Sequence, residues 1–506
     1  MFLKYLLLIP FCSGVFSILL GLCNLNFSKI ICLLGMLLTL FFCLFFYGIE
    51  HINLISQNSI HSLFHYEFST PWIHQFGINF SIGIDGLSCL MIILTCILSI
   101  ISILSMWNYN NSNQDHFFYF NFMLMISNII GIFIALDVFL FFIFWELSSI
   151  PIYFFIIHYG KPTINRNIRI FTANQFLIYM QISGLLLLLG ILGLVVNFYR
   201  LNHFYTFEYA VLRNSFFSNI YLEYFIMLLF FLSFMVKLPI FPFQKWLIDA
   251  HKHAPITGFL DITGILLKTS IYGLLRFNIF FFPYCSFKIS TFIFFLGIVS
   301  IIYNTFMAIV SKNIKEILTY ASLSHIGLML ISIYNPISFA YQGMIIQLFS
   351  STISIAALFL IISQLYRRLY TYDIYKLGGL WSELPWISFF SLFFIFANLN
   401  IPGTGNFVGE CMALLGLINN HIIITIIVTI NMFFCSVYSI RLFQSVFYGE
   451  IKRVSLIKKC DFYEILSLLI LFILLICIGI FPNCILNITS HAMNNIYYSF
   501  SMIALN

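Results

Sequence analysis

The chain has 506 residues, of which 61% are hydrophobic and only 8% are charged, and its formal net charge is +6. Its mean hydropathy of +1.02 excludes a soluble globular domain, in which about a quarter of the residues are charged. Apolar runs of about 20 residues, long enough to cross a bilayer, recur from one end of the sequence to the other. The composition therefore indicates an all-α polytopic membrane protein without a soluble domain between its spans.

We predict about fourteen membrane spans. The first contains a lone Lys4 and resembles a signal peptide, but no small-residue cleavage site follows it, so we interpret it as a retained helix. The predicted spans are 1–22, 30–48, 82–107, 117–135, 137–158, 169–198, 222–243, 254–282, 288–310, 316–334, 339–366, 386–419, 422–447 and 463–482.

Motifs for redox or nucleotide cofactors are missing from the sequence. The twelve cysteines are scattered, without a C-x-x-C pair or a His/Cys cluster at metal-ligand spacing, and are interpreted as small packing residues. Neither G-x-G-x-x-G after a strand nor G-x-x-x-x-G-K-[ST] occurs. We therefore expect no iron–sulfur cluster, haem, flavin, nucleotide or metal in this chain, and no nucleic-acid partner.

The basic residues are distributed unevenly between the predicted loops. Only Arg200, Arg213 and Lys288 lie in even-numbered loops, which is a strong positive-inside bias. It predicts that odd loops face the cytoplasm or matrix and that both termini face the opposite side. The fifteen basic residues of the odd loops are Lys29, Lys161, Arg166, Arg169, Lys245, Lys252, Lys312, Lys315, Arg367, Arg368, Lys376, Lys452, Arg453, Lys458 and Lys459.

The longest predicted connection, residues 51–80, then lies on the outer side. It contains four histidines whose spacing matches no compact ligand set, so a hydrated loop is the preferred interpretation over a metal site. These residues are His51, His61, His65 and His74.

Two predicted spans are interrupted beside an ionisable residue. In span 7, Lys237 precedes Pro239 and Pro242, and each proline removes a helical hydrogen bond, so the helix must break or kink. Freed carbonyls inside a membrane need buried protein or a watery cavity, where a lysine can share the polar pocket. The alternative is a proline kink from which Lys237 extends its amine to the odd-side surface.

Span 12 is about 33 residues long, too long for one straight crossing, and Pro402-Gly403-Thr404-Gly405 interrupts it shortly before Glu410. Two interrupted spans five positions apart are typical of a transporter with internal repeats. Because five is odd, the repeats are expected to be inverted. We predict an N-terminal part of residues 1–116, repeats of residues 117–282 and 288–447, and a C-terminal helix and tail of residues 448–506.

Span 8 carries Asp261, Lys268 and Arg276 near one helix face. A lysine in mid-span can lose its proton when it is desolvated and regain it when water or a carboxylate approaches. A structural ion pair between Lys268 and a neighbouring carboxylate is the alternative.

Glu146 lies within span 5 and is expected to seek a buried cation, for which Lys237 is the candidate. Changing the distance between the two groups would then change their protonation. Asp85 and Asp137, by contrast, start spans and are interpreted as boundary or helix N-terminal residues.

His325 in span 10 is a candidate proton relay between Lys268 and Glu410, because either protonation state of an imidazole is accessible near neutral pH. A hydrogen-bonded structural histidine is the alternative. His251, in the amphipathic turn between spans 7 and 8, lies at the odd-side mouth as a cap, a gate or a relay residue.

Several longer motifs surround these ionisable residues. They are G-I-D-G-L-S (83–88), F-W-E-L-S-S-I-P (144–151), the run from K-L-P-I-F-P-F (237–243) through G-I-L-L-K-T-S-I-Y-G-L-L-R (264–276), I-L-T-Y-A-S-L-S-H-I-G (317–327), D-I-Y-K-L-G-G-L (373–380) and N-I-P-G-T-G-N-F-V-G-E (400–410). Together they resemble the antiporter-like subunits of respiratory complex I, most closely the NADH–ubiquinone oxidoreductase chain 4 family of mitochondria. The resemblance extends over about residues 80–450.

This resemblance implies the fourteen-helix antiporter fold, with breaks in helices 7 and 12. It also implies that Glu146 and Lys237 form a modulating pair, that Lys268 is the central relay lysine, and that Glu410 is the terminal proton-exchanging residue. The chain departs from the family at Ser351, where a histidine is usual, so one relay step must run through water or be bypassed. Glu316 also stands where a basic residue is usual.

The expected function is proton translocation as a membrane-arm subunit of complex I in the mitochondrial inner membrane, with the termini on the intermembrane-space side. The resemblance implies that neighbouring antiporter-like chains and lipids are its partners, and that FMN, iron–sulfur clusters and ubiquinone belong to other subunits. The alternatives are an Mrp-type cation/proton antiporter, a structural subunit that has lost pumping, and a plastid homologue with a ferredoxin-linked partner.

Overall fold

The computed structural model describes residues 3–21, 25–56, 64, 66–108, 116–160, 165–213, 217, 219–254, 261–450 and 459–505. Among the residues singled out above, His61, His65, Lys161, Lys452, Arg453 and Lys458 lie outside the described residues, as do the side chains of His51 and Asp261.

The first half of the chain forms helices joined by one β-hairpin. The hairpin pairs Tyr66 with Ile84 and Ile73 with Ile78 in antiparallel register. The elements are α1 (Leu3–Gly21), α2 (Leu25–Ser56), β1 (Tyr66–Ile73), β2 (Ile78–Ile84), α3 (Gly86–Ser105), α4 (His116–Ile134), α5 (Val138–Leu147), α6 (Ser149–Tyr159), α7 (Arg166–Asn202), α8 (Tyr209–Leu212), α9 (Ile220–Lys237) and α10 (Lys245–His253).

The regular elements in the described residues of the second half are all helices. A π-helical segment, Leu274–Ile279, continues directly from α11. The helices are α11 (Asp261–Gly273), α12 (Pro283–Val310), α13 (Ile314–Ile333), α14 (Ser338–Leu369), α15 (Leu380–Glu383), α16 (Pro385–Asn398), α17 (Gly405–Ile418), α18 (Ile422–Phe447), α19 (Phe462–Ile480) and α20 (Asn483–Leu505).

The predicted membrane-protein architecture is confirmed. Within the described ranges, twelve helical segments are long and apolar enough to cross a membrane, counting α5 and α6 as one. The predicted span 8 corresponds to the shorter α11 with its π-helical extension, and span 12 to the short pair α16 and α17. A total of fourteen crossings stays a prediction. Helices α13 and α14 are buried on nearly every side, so they form the centre of the bundle.

Two predictions about connecting segments were wrong. The connection of residues 51–80, predicted as a plain hydrated loop on the outer side, instead contains the end of α2 at Ser56, strand β1 and the start of β2, which pair as a hairpin within a mostly helical fold. The segment predicted as a C-terminal tail contains helix α20. It packs against the start of α3, where Gly86 leaves room for the carbonyl of Ile488.

Both predicted helix breaks are present. Helix α9 ends at Lys237, and the carbonyl of Val236, which the break frees, accepts a hydrogen bond from Trp246 Nε1 at 3.0 Å. Helix α16 ends at Asn398 and α17 begins at Gly405, while Asn406 Nδ2 donates to the carbonyl of Ala397 at 3.0 Å.

A third break was not predicted, because span 5 was read as one continuous helix. It separates α5 from α6 at Ser148. Pro151 has no N–H to donate to the carbonyl of Leu147, and Asn128 Nδ2 donates to that carbonyl instead, at 3.1 Å. The proline in the W-E-L-S-S-I-P motif was the available signal.

Helices α14 and α17 pack backbone against backbone through glycines. A Cβ atom added to Gly409 would lie 2.6 Å from the backbone nitrogen of Gln347, and one added to Gly416 would lie 2.5 Å from that of Ala340. Gly343 on α14 is equally crowded by the backbone of Ala413. Small residues at such contacts let two helices approach closely within a membrane, and here they fix the position of Glu410, the neighbour of Gly409.

The first prediction concerns this contact. Gly409→Ala should push α17 away from α14 and destabilise the protein by about 1–3 kcal/mol, the usual cost of overpacking. The measurement is the amount and melting temperature of the membrane-extracted protein. Gly48→Ala on α2 is the matched control, because a Cβ there meets nothing within 4 Å. Equal behaviour of the two variants would contradict the interpretation.

Asp85 and Arg276 form a buried ion pair between the start of α3 and the π-helical segment. As predicted, Asp85 caps a helix: its Oδ1 accepts from the backbone N–H of Ser88 at 2.9 Å. The guanidinium of Arg276 also lies over the rings of Phe64 and Tyr272, with its carbon 5.0 and 5.4 Å from their centroids. This pair was not predicted, and it makes Arg276 a structural residue rather than a continuation of the Lys268 face.

The second prediction tests this pair. Arg276→Met leaves the Asp85 carboxylate buried without its cation, so it should cost about 3–5 kcal/mol of stability. The double variant Asp85→Asn/Arg276→Met removes both charges and keeps an N-cap, so it should recover most of that loss. Thermal unfolding of the extracted protein measures both effects. A double variant as unstable as the single one would refute the ion-pair interpretation.

Candidate functional site

Lys237 is held at the meeting point of two helix breaks. Its Nζ donates to the carbonyl of Trp145 at 3.2 Å and to Ser148 Oγ at 3.1 Å. The amine also lies 3.6 Å from the centroid of the Trp145 ring, an arrangement that stabilises a cation through the negative face of the ring. The side chain is 1% exposed, so Lys237 does not extend its amine to the surface.

Glu146 points away from Lys237, toward α7. Its Oε2 accepts from Gln181 Nε2 at 2.7 Å, and its Oε1 occupies the space beside Gly184 where any larger residue would place a Cβ. Among the described ion pairs none joins Glu146 to Lys237. The structure thus brings the two predicted partners to the same helix break but not into direct contact.

Lys268 lies deep in the bundle, 3% exposed. Its Nζ approaches Met329 Sδ at 3.6 Å, which is a weak acceptor. The described part of the chain offers it no carboxylate at ion-pair distance, so the alternative of a structural ion pair finds no support there. A buried lysine without a fixed counter-ion is costly in a membrane.

A small cavity separates Lys268 from His251. Its space for the centre of a water molecule is about 20 Å³, enough for about one water. Ser322 and Thr352 supply polar groups on its wall, and Ile355 and Phe359 supply apolar ones. The ring of His251 packs edge-on against Phe359, at 5.0 Å between centroids.

His251 and Lys268 therefore line the same small cavity, while the position of His251 at the odd-side mouth stays a prediction. Helix α10 carries it into the bundle, where the side chain is 4% exposed. Asp261 begins α11, seven residues before Lys268, but its side chain is outside the described residues.

His325 and Glu410 are brought together, as the relay prediction required. Nδ1 of His325 lies 3.7 Å from Glu410 Oε1 and 3.3 Å from Gln347 Nε2. The other ring nitrogen, Nε2, lies 3.0 Å from Asn398 Oδ1. All four side chains are buried.

Helix α13 joins this cluster to Lys268. Met329, which contacts the Lys268 amine, follows His325 by four residues and so lies on the same face of the helix. The site thus consists of three groups: Lys237 with Glu146, Lys268 with His251, and His325 with Glu410. No described hydrogen bond joins Lys237 to Lys268.

Sequence reasoning missed Ser148, Gln347 and Asn398, each of which contacts a predicted site residue. Asn398 could have been found from its place just before the Pro402 break, and Gln347 from lying one helical turn before Ser351. Ser351, the noted departure from the family, is buried, and its Oγ has no hydrogen-bond partner.

Comparison with known proteins gives a consistent result. The transmembrane family model of NADH:quinone oxidoreductase and Mrp antiporters matches residues 135–435. NADH-quinone oxidoreductase subunit M of Buchnera aphidicola subsp. Schizaphis graminum is 43% identical over 497 residues, covering 98% of this chain and 99% of that protein. Subunit M of Escherichia coli strain K12 is 39% identical over 499 residues, covering 98% and 97%.

A chain from the structure of respiratory complex I of Thermus thermophilus with bound NADH superposes with a TM-score of 0.84. The match covers 99% of this chain and 98% of that one at 23% identity, so it shows a shared fold. The family match and the full-length relatives go further: the chain belongs to the NADH:quinone oxidoreductase/Mrp antiporter family of membrane subunits.

Proposed function

We propose that the chain is a proton-translocating, antiporter-like subunit in the membrane arm of a respiratory NADH:quinone oxidoreductase. The observation that carries this proposal is the burial of four titratable residues in the bundle, with a cavity between His251 and Lys268 and a distance of 3.7 Å between His325 Nδ1 and Glu410 Oε1. Full-length relatives are named NADH-quinone oxidoreductase subunit M, which supports the oxidoreductase as the complex to which these residues belong.

In this proposal Lys268 stores the proton. Among the described residues, its amine has a cavity for about one water on the His251 side and a contact with the Met329 thioether, so neither neighbour holds its charge as strongly as a carboxylate would. A proton enters from the odd side at His251, crosses the cavity through water, and resides on Lys268. It then continues to His325 and Glu410 toward the outer side.

Lys237 and Glu146 would modulate this transfer electrostatically. Lys237 is supported by a carbonyl, a hydroxyl and an aromatic face, and Glu146 by Gln181. Because each charge has its own support, the distance between them can change without breaking a salt bridge. Charge interactions in a medium of low dielectric constant change strongly with distance, which suits a modulating pair.

The energy for transfer would come from quinone reduction elsewhere in the complex. We propose that FMN, iron–sulfur clusters and the quinone site lie in partner subunits, and that this chain carries protons alone. Its partners would be other membrane-arm subunits, in particular neighbouring antiporter-like chains, and membrane lipids.

The inverted-repeat organisation is part of the proposal. Residues 117–282 and 288–447 would be the two repeats, between an N-terminal part of residues 1–116 and a C-terminal part of residues 448–506. The breaks beside Lys237 and before Glu410 support it, because they fall in the seventh and twelfth predicted spans. Interrupted helices in corresponding positions of two repeats mark the site in many transporters.

The proposal also includes the membrane in which the chain resides and the side on which its termini lie. The resemblance to chain 4 predicts the mitochondrial inner membrane, with both termini in the intermembrane space. The relatives of 39–43% identity are bacterial, which favours a bacterial inner membrane, where the same orientation places the termini in the periplasm. The positive-inside bias supports the orientation in either membrane.

A cation/proton antiporter of the Mrp type is the second candidate, because the family model includes such proteins. The names of the full-length relatives favour the oxidoreductase. A purely structural role is less well supported, since an unpaired buried lysine contributes nothing to packing that an apolar residue could not.

Native separation of gently solubilised membranes tests the assembly. The chain's peptides should comigrate with a large particle that oxidises NADH in the gel. Recovery in a small particle without NADH oxidation would contradict the proposal and support the antiporter, whose sodium-dependent proton exchange could then be measured in proteoliposomes.

The third prediction concerns the route. Lys268→Met and Glu410→Gln keep side-chain size but remove the proton-carrying group, so each should lower NADH-driven proton pumping in membrane vesicles by at least about tenfold. NADH oxidation with a soluble electron acceptor should persist and report an assembled complex.

Exposed residues provide the matched controls. Lys376 is exposed and only loosely paired with Asp373 at 3.9 Å, and Glu383 is exposed at the end of α15. Lys376→Met and Glu383→Gln should therefore pump at the rate of the unmodified complex. Unimpaired pumping by Lys268→Met or Glu410→Gln would refute the proposed route.

A further inference from the structure

Amide side chains lie against both ring nitrogens of His325. Asn398 Oδ1 lies 3.0 Å from Nε2 and can accept a hydrogen from it. Gln347 Nε2 lies 3.3 Å from Nδ1 and can donate to its lone pair. These contacts match the tautomer of the imidazole that carries its hydrogen on Nε2.

Glu410 approaches the same atom that Gln347 occupies. Its Oε1 lies 3.7 Å from Nδ1, slightly farther than the Gln347 amide. A carboxylate can bind Nδ1 only when that nitrogen carries a proton, and a protonated Nδ1 has no lone pair for Gln347. The two contacts therefore exclude each other.

From this geometry we propose that Gln347 is a gating residue that competes with Glu410 for Nδ1 of His325. The inference rests on the proposed function. While Gln347 donates to Nδ1, His325 stays neutral and the route is closed. When Gln347 releases, Nδ1 takes a proton from the Lys268 side, and the imidazolium passes it to the Glu410 carboxylate. The products are a neutral imidazole and a carboxylic acid, so one proton has moved and nothing else has changed.

The atoms needed for the open state are also in place. Oε2 of Glu410 and Oε1 of Gln347 are buried and have no hydrogen-bond partner within the part of the chain that the structure describes. Buried polar atoms are seldom left unpaired, and here they give both side chains an unused acceptor for a second arrangement. Gln347 also lies one helical turn before Ser351, where the relay step expected from the family is missing.

Close packing of α14 against α17 couples the position of Gln347 to that of Glu410. The backbone nitrogen of Gln347 faces Gly409 so closely that a Cβ would lie 2.6 Å away, and Gly409 is the neighbour of Glu410 along the chain. Asn398 and Glu410 come from the two halves of the interrupted helix, α16 and α17. A displacement of α17 relative to α14 would therefore change both contacts of Nδ1 at once.

The experiment, our fourth prediction, uses the whole complex in proteoliposomes with an imposed pH gradient and no NADH. Gln347→Leu has a similar size but no donor, so Nδ1 can be protonated at any time and the closed state is lost. Proton leak per complex should rise about fivefold, the population change that loss of one hydrogen bond produces.

A double variant distinguishes a leak that passes through His325 from a leak caused by general loosening of the helix packing. If Gln347 acts through His325, then Gln347→Leu/His325→Leu should leak no more than the unmodified complex, a non-additive result. Gln364→Leu is the matched control, since Gln364 is equally buried on α14 but donates to the carbonyl of Glu464, and it should not leak.

The gate is refuted if Gln347→Leu does not leak, or if the leak persists without His325. NADH-driven proton pumping by Glu410→Gln in the same liposomes distinguishes failure of the gate from failure of the proposed function. Normal pumping by Glu410→Gln refutes the proton route itself, whereas lost pumping together with a tight Gln347→Leu refutes only the gate.

Discussion

The structure depends on one constraint: a backbone carbonyl freed inside a membrane must find a donor in the protein. The three helix breaks meet it with three different side chains. Leu147 O accepts from Asn128, Val236 O accepts from Trp246, and Ala397 O accepts from Asn406. Polar side chains thus gather at the breaks, and the site residues lie among them. The prolines therefore shape the site as much as the charges do.

The sequence was sufficient to predict the multi-span membrane architecture, two of the three breaks and the burial of ionisable residues, because each produces a local signal. Lipid demands long apolar runs, proline breaks a helix wherever it occurs, and a charge within an apolar run is visible at once. The third break has the same signal, because Pro151 lies in the motif with Glu146 and leaves the carbonyl of Leu147 without its helical donor.

Partnerships were harder to predict, because they depend on how helices rotate against one another. Glu146 and Lys237 have opposite charges in neighbouring spans, yet Glu146 turns to Gln181 because Gly184 offers it space there. Arg276 lies in a π-helical segment, which changes the angular spacing that a sequence reading assumes. Gln347 and Asn398 are uncharged, so only the positions of the ring nitrogens of His325 reveal their role.

The glycine contact between α14 and α17 has a consequence for water. Where the backbone of Gly409 meets that of Gln347, and that of Gly416 meets Ala340, there is no room even for a methyl group. A water chain needs more space than that, so this contact is a watertight seam along the helix that carries Glu410. In the proposed route, protons beside this contact would therefore move through side chains, whose orientation can be controlled, rather than through a chain of water. The exclusion of water at this contact thus depends on glycines, which carry no charge and no side chain.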